Sequence, residues 1–271
     1  MRGRVLIIAG SDSGGGAGIQ ADIKTVTALN GFAMTAITAL TAQNTQGVFG
    51  VHPVPLDFLR QQIEVVMADL GADVIKTGML GDGATIGAVC DALADFAPTV
   101  PLVLDPVMVA KGGHHLLATE AVASLRQRLL PRATVITPNL PEAEALTGMS
   151  IKSVEDMRVA ARLLLSLGVP AVLLKGGHLD GPVLTDLLAT ADGIEAFSAP
   201  RIQTRHTHGT GCTTASAVAA GLAQGMALRD AVIRARAYVR AAIAAAPGFG
   251  RGHGPLHHAV TFDPSRLDPS A

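Results

Sequence analysis

The chain has 271 residues, 49% hydrophobic and 16% charged, and its 21 Lys+Arg against 22 Asp+Glu leave a net charge of −1. At about 150 residues per domain that is one large domain or two small ones, with enough apolar sequence to exclude wholesale disorder. The balanced charge, 3% aromatic content and absence of Trp exclude a general field for nucleic acid or anionic lipid and a base-stacking platform.

Short apolar runs alternate with longer helical patterns. The runs are Val5–Ala9, Ala36–Leu40, Asp73–Thr77, Leu102–Asp105, Thr134–Thr137 and Ala171–Lys175. Between them the spacing predicts helices over Ala17–Asn30, Leu56–Leu70, Ala84–Phe96, Glu120–Leu130, Glu142–Gly148 and Val154–Gly168. Strand then helix, repeated, argues an α/β fold with a parallel sheet covered on both faces. Gly31, Gly71 and Gly168 stand where a left-handed residue ends a helix, and Ser153 with Asp156 resembles a capping box. Val183–Ala189 and Gly193–Ala199 flank a three-residue turn and read as a hairpin. Two Ala-rich helices, Cys212–Gln224 and Arg229–Ala246, close the fold. No internal repeat or linker appears, so the reading is one domain over residues 1–262 and a C-terminal tail over 263–271.

Two cysteines, Cys90 and Cys212, allow no disulfide framework or zinc spacing. The apolar run after Met1-Arg-Gly-Arg4 is too short for a signal core, and the longest uncharged stretches are broken by polar residues. The expectation is a soluble, cytoplasmic protein with no membrane and no nucleic-acid partner.

In open α/β sheets ligands bind beyond the carboxyl ends of the strands. The loops there hold the unusual sequence. Gly10-Ser-Asp-Ser-Gly-Gly-Gly-Ala-Gly18 lacks both the G-x-G-x-x-G spacing and the Lys of a P-loop. It reads as backbone that a small ligand approaches closely, against a simple tight turn capped by Asp12 or Ser13. Gly209-Thr-Gly211 leads into Cys212 at a helix start, where backbone N–H groups bind anions. A Cys there is expected to have a lowered pKa and to serve as base or nucleophile, against a buried structural thiol.

Asn139 and Glu142 have the spacing of a hydrated Mg²⁺ site near phosphates, which Asp105 would join; taken alone they read instead as a helix start with Pro141 at its first position and Glu142 favouring the helix dipole. Lys175 at a Gly turn can reach a polyphosphate or stand in solvent. The amide of Gln43 can read a heterocycle edge. Cys90 lies among Ala and Val and reads as core.

Gly10–Asp22, Ala42–Thr45, Lys76–Leu80, Leu104–Met108, Ile136–Ala143, Leu174–His178 and Thr207–Thr213 occur in this order. Together they resemble the hydroxymethylpyrimidine/phosphomethylpyrimidine kinases of thiamine biosynthesis, within the ribokinase-like superfamily. The resemblance runs from about Val5 to about His258. It implies a three-layer α/β/α fold with a mostly parallel central sheet. It implies two ATP-dependent phosphorylations, of 4-amino-5-hydroxymethyl-2-methylpyrimidine and then of its monophosphate.

By the same resemblance Gln43 pairs with the pyrimidine, Asp22, Met79 and Val107 line its pocket, and Gly10 approaches by backbone. Gly209, Thr210 and Gly211 form an anion hole, Cys212 is the base, Asn139 and Glu142 lie near Mg²⁺, and Lys175 contacts phosphate. A homodimer is implied too. The nearest rival is a pyridoxal/pyridoxine kinase; a non-catalytic pyrimidine sensor is a remote one. The glycines of Lys111-Gly-Gly113 suggest a mobile flap over Ala110–His115. Gly250–Pro255 matches the resemblance without a role that the sequence supplies.

Overall fold

Residues 2–108 and 121–263 are described by a computed structural model. The expected flap at Ala110–His115 and the tail beyond Asp263 lie outside the described residues.

The apolar run at the N-terminus becomes β1 (Arg4–Asp12), in which Val5, Leu6, Ile7 and Ile8 are wholly buried. Side chains of a strand alternate between faces, so a continuous apolar strand needs cover on both. Leu6 and Ile8 enter one core, and Val5 and Ile7 the other. The other strands are β2 (Phe32–Asn44), β3 (Gly47–Pro53), β4 (Val74–Thr77), β5 (Leu102–Leu104), β6 (Val135–Ile136), β7 (Ala171–Leu174), β8 (Val183–Thr190) and β9 (Gly193–Pro200). They form one sheet in the order β3-β2-β1-β4-β5-β6-β7-β8-β9. The strands from β2 to β7 in that order pair in parallel, while β3 and the hairpin β8–β9 are antiparallel additions at the two edges. The hairpin was expected; β3 was not.

The helices are α1 (Gly18–Ala28), α2 (Leu56–Asp69), α3 (Gly83–Phe96), α4 (Ala121–Ser124), α5 (Leu140–Thr147), α6 (Val154–Ser166), α7 (Thr210–Ala223) and α8 (Leu228–Ala244). The core holding Leu6 and Ile8 is closed by α2 to α6, and the other by α1, α7 and α8. The expected helix Glu120–Leu130 is broken: α4 passes into a π turn at Leu125–Leu129 and a 3₁₀ turn at Leu130–Arg132. Pro131 cannot donate to an α-helical ladder, which fits the tightening at that point. Gly71 and Gly168 take the left-handed conformation as expected, but after α1 Asn30 takes it (φ 64°) instead of Gly31. Ser153 Oγ accepts from Asp156 N, and the Asp156 carboxylate accepts from Lys152 N and Ser153 Oγ.

The chain leaves β1 toward β2 on one side, and β4 lies on the other. That reversal opens a crevice at the carboxyl ends of β1 and β4. Small residues bring α7 close beneath it. Ala215 and Ala217 to Ala220 are fully buried, and Gly221 lets α8 approach, since a Cβ there would lie 2.6 Å from Ala231 Cβ. The N-terminus of α7 thereby reaches the crevice floor.

Candidate active site

A cavity of about 1070 Å³ occupies the crevice. At one end stand Gly10 and Met79, whose methyl group would lie 2.5 Å from a Cβ at position 10. Gly10 therefore presents bare backbone because any side chain would displace Met79. Val107 and Gln43 complete that end. Gln43 is held by the glycine loop and by β2: its N–H donates to Ser13 Oγ (2.8 Å) and Thr41 Oγ1 donates to its Oε1 (3.2 Å).

Asp12 organises the glycine loop. Its carboxylate accepts from the N–H of Gly14 (2.8 Å), Gly16 (3.0 Å) and Ala17 (2.7 Å), and faces His208 Nε2 at 2.9 Å. Burial pushes this carboxyl up, but His208 and the backbone donors outweigh it and hold it below the usual carboxylate range. His208 Nε2 also lies 3.3 Å from Gln43 Nε2, so the ring stands between the glycine loop and the amide at the start of α7. The Gly250–Pro255 segment braces the same place. His253 N–H donates to Thr45 O, and His208 N–H donates to Gly254 O.

At the centre lies the N-terminus of α7. Gly209 is its N-cap, left-handed at φ 83°, and a Cβ there would collide with Gly16 O. Glycine is needed on both counts. No side chain caps this helix and no acidic residue occupies its first turn, which leaves its N-terminal partial positive charge for an anion. Thr210, Gly211 and Cys212 face the cavity from that turn.

Beneath it runs a buried charge network. Lys76, fully buried, donates to Asp22 Oδ1 (3.0 Å) and Oδ2 (2.9 Å), and Ser216 Oγ donates to Asp22 Oδ1 at 2.6 Å. The cavity wall here is Lys76, with Asp22 behind it. The expectation that Asp22 lines the pocket is thus corrected: α1 points it inward, where it neutralises a buried ammonium. Desolvation opposes that ammonium, but Asp22 and the surrounding acids outweigh it and raise the Lys76 pKa.

Cys212 overturns a second expectation. Burial pushes its thiol up to about 12; Lys76 and the Gly18 N–H oppose the shift, while Asp22 and Asp105 add to it. The lowered pKa expected at a helix start requires net positive surroundings. Around this half-buried sulfur Asp22 and Asp105 offset Lys76.

At the far end Lys175 Nζ donates to Asp105 Oδ1 (3.0 Å), which also accepts from Thr137 Oγ1 (3.0 Å). Gly211 leaves room for the pair, since a Cβ there would lie 3.2 Å from Lys175 Nζ. Asn139 and Glu142 form a full capping box on α5: Glu142 N–H donates to Asn139 Oδ1 (2.9 Å), and Asn139 N–H donates to Glu142 Oε2 (2.8 Å). The helix-start reading therefore holds, and both residues still face the cavity. Burial raises Glu142 to about 7 against the opposing Lys175, with Asp105 adding to the shift.

Twelve of the sequence-selected residues thus meet in one cavity, Asp22 excepted. Sequence reasoning assigned no role to Lys76 or to the Asp12–His208 pair. A lysine inside the wholly buried four-residue strand β4 was a signal available in the sequence.

Residues 12–257 match the sequence model of the phosphomethylpyrimidine kinase family. The chain belongs to that family. It is 49% identical over 256 residues to a hydroxymethylpyrimidine/phosphomethylpyrimidine kinase of Bacillus subtilis, with 94% of each chain covered. It is 52% identical to a thiamine biosynthesis bifunctional protein of Geobacter sulfurreducens, covering 98% of this chain but 54% of that one, about half its length. Among solved structures, pyridoxal kinase of B. subtilis in an ADP complex superimposes with a TM-score of 0.89 at 37% identity, covering 99% of this chain and 100% of that one. The fold is accordingly ribokinase-like, and the protein is a phosphotransferase.

Proposed function

We propose that the protein phosphorylates 4-amino-5-hydroxymethyl-2-methylpyrimidine and then its monophosphate to the diphosphate, with ATP as donor. One observation carries this reading: a single cavity holds the Gln43–Met79 end and the Lys175 end on either side of the uncapped N-terminus of α7. An alcohol bound at the first end and a polyphosphate at the second would meet at Gly209–Cys212.

Phosphoryl transfer passes through a loose transition state, so position and charge stabilisation outweigh base strength. Gly209, Thr210 and Gly211 present helix N–H groups to the transferring group, and Lys175 supplies a positive charge beside it. Cys212 meets the alcohol. Burial pushes its pKa well above neutral, so the group rests as a thiol at pH 7 and no standing thiolate waits there. The thiolate that accepts the alcohol proton forms transiently beside Lys76, its own proton having left to solvent. The second phosphorylation attacks through a phosphate oxygen and needs no base.

Asp105 and Glu142 suit Mg²⁺. They are 2% and 4% exposed and share one nearby ammonium, Lys175, and a dication would relieve the burial that raises Glu142. Among the described residues no three His, Cys, Asp or Glu cluster to hold a metal, so water would complete the shell, as Mg²⁺ prefers. When bound, Mg²⁺ would neutralise charge on the donor phosphates; Asn139 would hold Glu142 in place through the capping box.

We further infer a homodimer. The edge strand β3 is largely exposed, with Phe49 at 71% and Val51 at 44%. Among the described residues no helix is long and apolar enough to cross a membrane, and a cytoplasmic site of action fits the use of ATP.

The test is ATP consumption with Mg²⁺, offering the pyrimidine alcohol, its monophosphate and pyridoxine in parallel, with products identified by mass. Turnover of both pyrimidines with diphosphate formed is expected. Pyridoxine as the only good substrate would place the protein with the pyridoxal kinases, which its structural likeness makes the second reading. Inactivity on all three would overturn the kinase assignment of the pocket.

A further inference from the structure

Lys175 is the last residue before the turn Gly176-Gly177, and its main chain is fixed on one side by the segment between β6 and α5. Its N–H donates to Pro138 O (2.9 Å), and it forms a bridge with Asn139. The other side is held from outside the turn. Gly176 N–H donates to Asp186 Oδ1 (3.0 Å) on β8, and the second oxygen of Asp186 accepts from Arg236 Nε (2.8 Å) on α8. Arg236 is fixed in turn: its Nη2 donates to Phe197 O (2.8 Å), and its guanidinium lies over the Phe197 ring. Asp186 and Arg236 are 13% and 14% exposed, both at the cavity.

The fit at Gly176 is tight, since a Cβ there would collide with Thr185 O. A buried N–H so close to β8 needs an acceptor, and leaving it without one costs about 1–3 kcal/mol. Asp186 supplies it, and Arg236 holds that carboxylate in place. From α8, Val239 and Ile243, four residues apart, also face the cavity. One helix thus offers an apolar surface to a ligand and, through Arg236 and Asp186, sets the backbone that carries Lys175.

We propose that Asp186, held by Arg236, is a positioning residue that fixes Lys175 for the donor's phosphates. The proposal rests on the reading of Lys175 as the phosphate contact. Neither Asp186 nor Arg236 needs to touch the phosphates. Their effect is on where Lys175 Nζ stands, and a misplacement of about 1 Å can cost as much as 10²-fold in rate.

The test compares binding of ATP and of adenosine, which has no phosphates, by calorimetry on folded variants. Asp186→Ala is expected to weaken ATP about ten-fold and leave adenosine within about two-fold, with the KM for ATP rising and that for the pyrimidine alcohol unchanged. Asp186→Asn, which keeps an oxygen for Gly176 N–H, is expected to lose less. If Asp186→Ala does not fold, Arg236→Lys is expected to show the same split at smaller size.

Equal weakening of ATP and adenosine, or none in a folded variant, overturns the proposal. Lys175→Met separates the two layers of argument. If it weakens ATP while Asp186→Ala does not, the positioning role alone fails. If it binds ATP like the wild type, the assignment of Lys175 fails and takes the positioning role with it.

Discussion

The Cys212 thiol keeps its proton at neutral pH because burial outweighs the nearby Lys76 ammonium. Alkylation by iodoacetamide, followed on the Cys212 peptide by mass, is therefore expected to be slow at pH 7.5 and still rising at pH 10; a plateau near pH 8 would contradict it. The two phosphorylations separate chemistry from spacing. Only the first has a proton to remove, so Cys212→Ser is expected to slow it about ten-fold more than the second. Equal losses would leave Cys212 a spacing role only. Lys76 tests the charge network. Lys76→Met strands the fully buried Asp22 carboxylate without its partner, and breaking one side of a buried pair costs about 3–5 kcal/mol. The denaturation midpoint should fall accordingly and recover largely in Lys76→Met/Asp22→Asn, whereas first-step activity should not. Recovery of both would reduce Lys76 to a structural role.

Helix α7 carries the anion site at its first residue and is tied to the C-terminal segment just beyond it. Thr213 Oγ1 pairs with His258 Nε2 at 2.9 Å, and Tyr238 OH donates to His258 O at 2.7 Å. Burial, helped by Lys24 and His257, lowers the His258 pKa to about 4. The unfolded chain binds this proton near pH 6.5 and the folded one near 4, so the contribution to stability is present above about 6.5 and is lost as pH falls toward 4. Urea midpoints should drop across that window and drop less in His258→Gln; parallel slopes would refute the assignment.

Elements of this kind were legible in the sequence where burial is strong. The fully apolar β1 and the Gly-ended α2 and α6 follow from patterning alone. The strand β3 does not, because Gly47–Pro53 is largely exposed and carries no alternation against a core. The break after α4 depends on one proline and on packing, and the Asn30 cap depends on local sterics that favour neither Asn30 nor Gly31 from sequence. In the site, loop positions were legible because strand ends converge. The burial of Cys212 and the pairing of Asp12 with His208 were not, since each depends on partners distant in the chain. A motif names who is present; the dielectric around it is set by the packed whole.

At the scale of the molecule the sheet has two ends of different character. At one, the β8–β9 hairpin helps build the cavity wall through Leu184 and Asp186. At the other, β2 runs past the end of its pairing with β3, and the side chain of Gln62 pairs both the N–H and C=O of Ile37, standing in for a neighbouring strand. Beyond that, β3 is left with an open edge. It carries the exposed Phe49 and Val51 and no Lys, although an extra residue at Phe49 puts a bulge in its pairing with β2. An exposed edge of this kind invites pairing with another chain. A second copy of this chain would cover it while leaving the cavity mouth at the strands' carboxyl ends open. The chain is accordingly expected to sediment as a dimer at micromolar concentration, and Phe49→Glu is expected to yield a monomer with the same circular dichroism. The Gln43 loop follows β2 directly into β3, so the monomer should also bind the pyrimidine alcohol less tightly while its affinity for ATP, set at the far end of the sheet, is unchanged. A wild-type chain that sediments as a monomer would remove the edge from the functional argument, and a Phe49→Glu dimer would move the interface elsewhere on the surface.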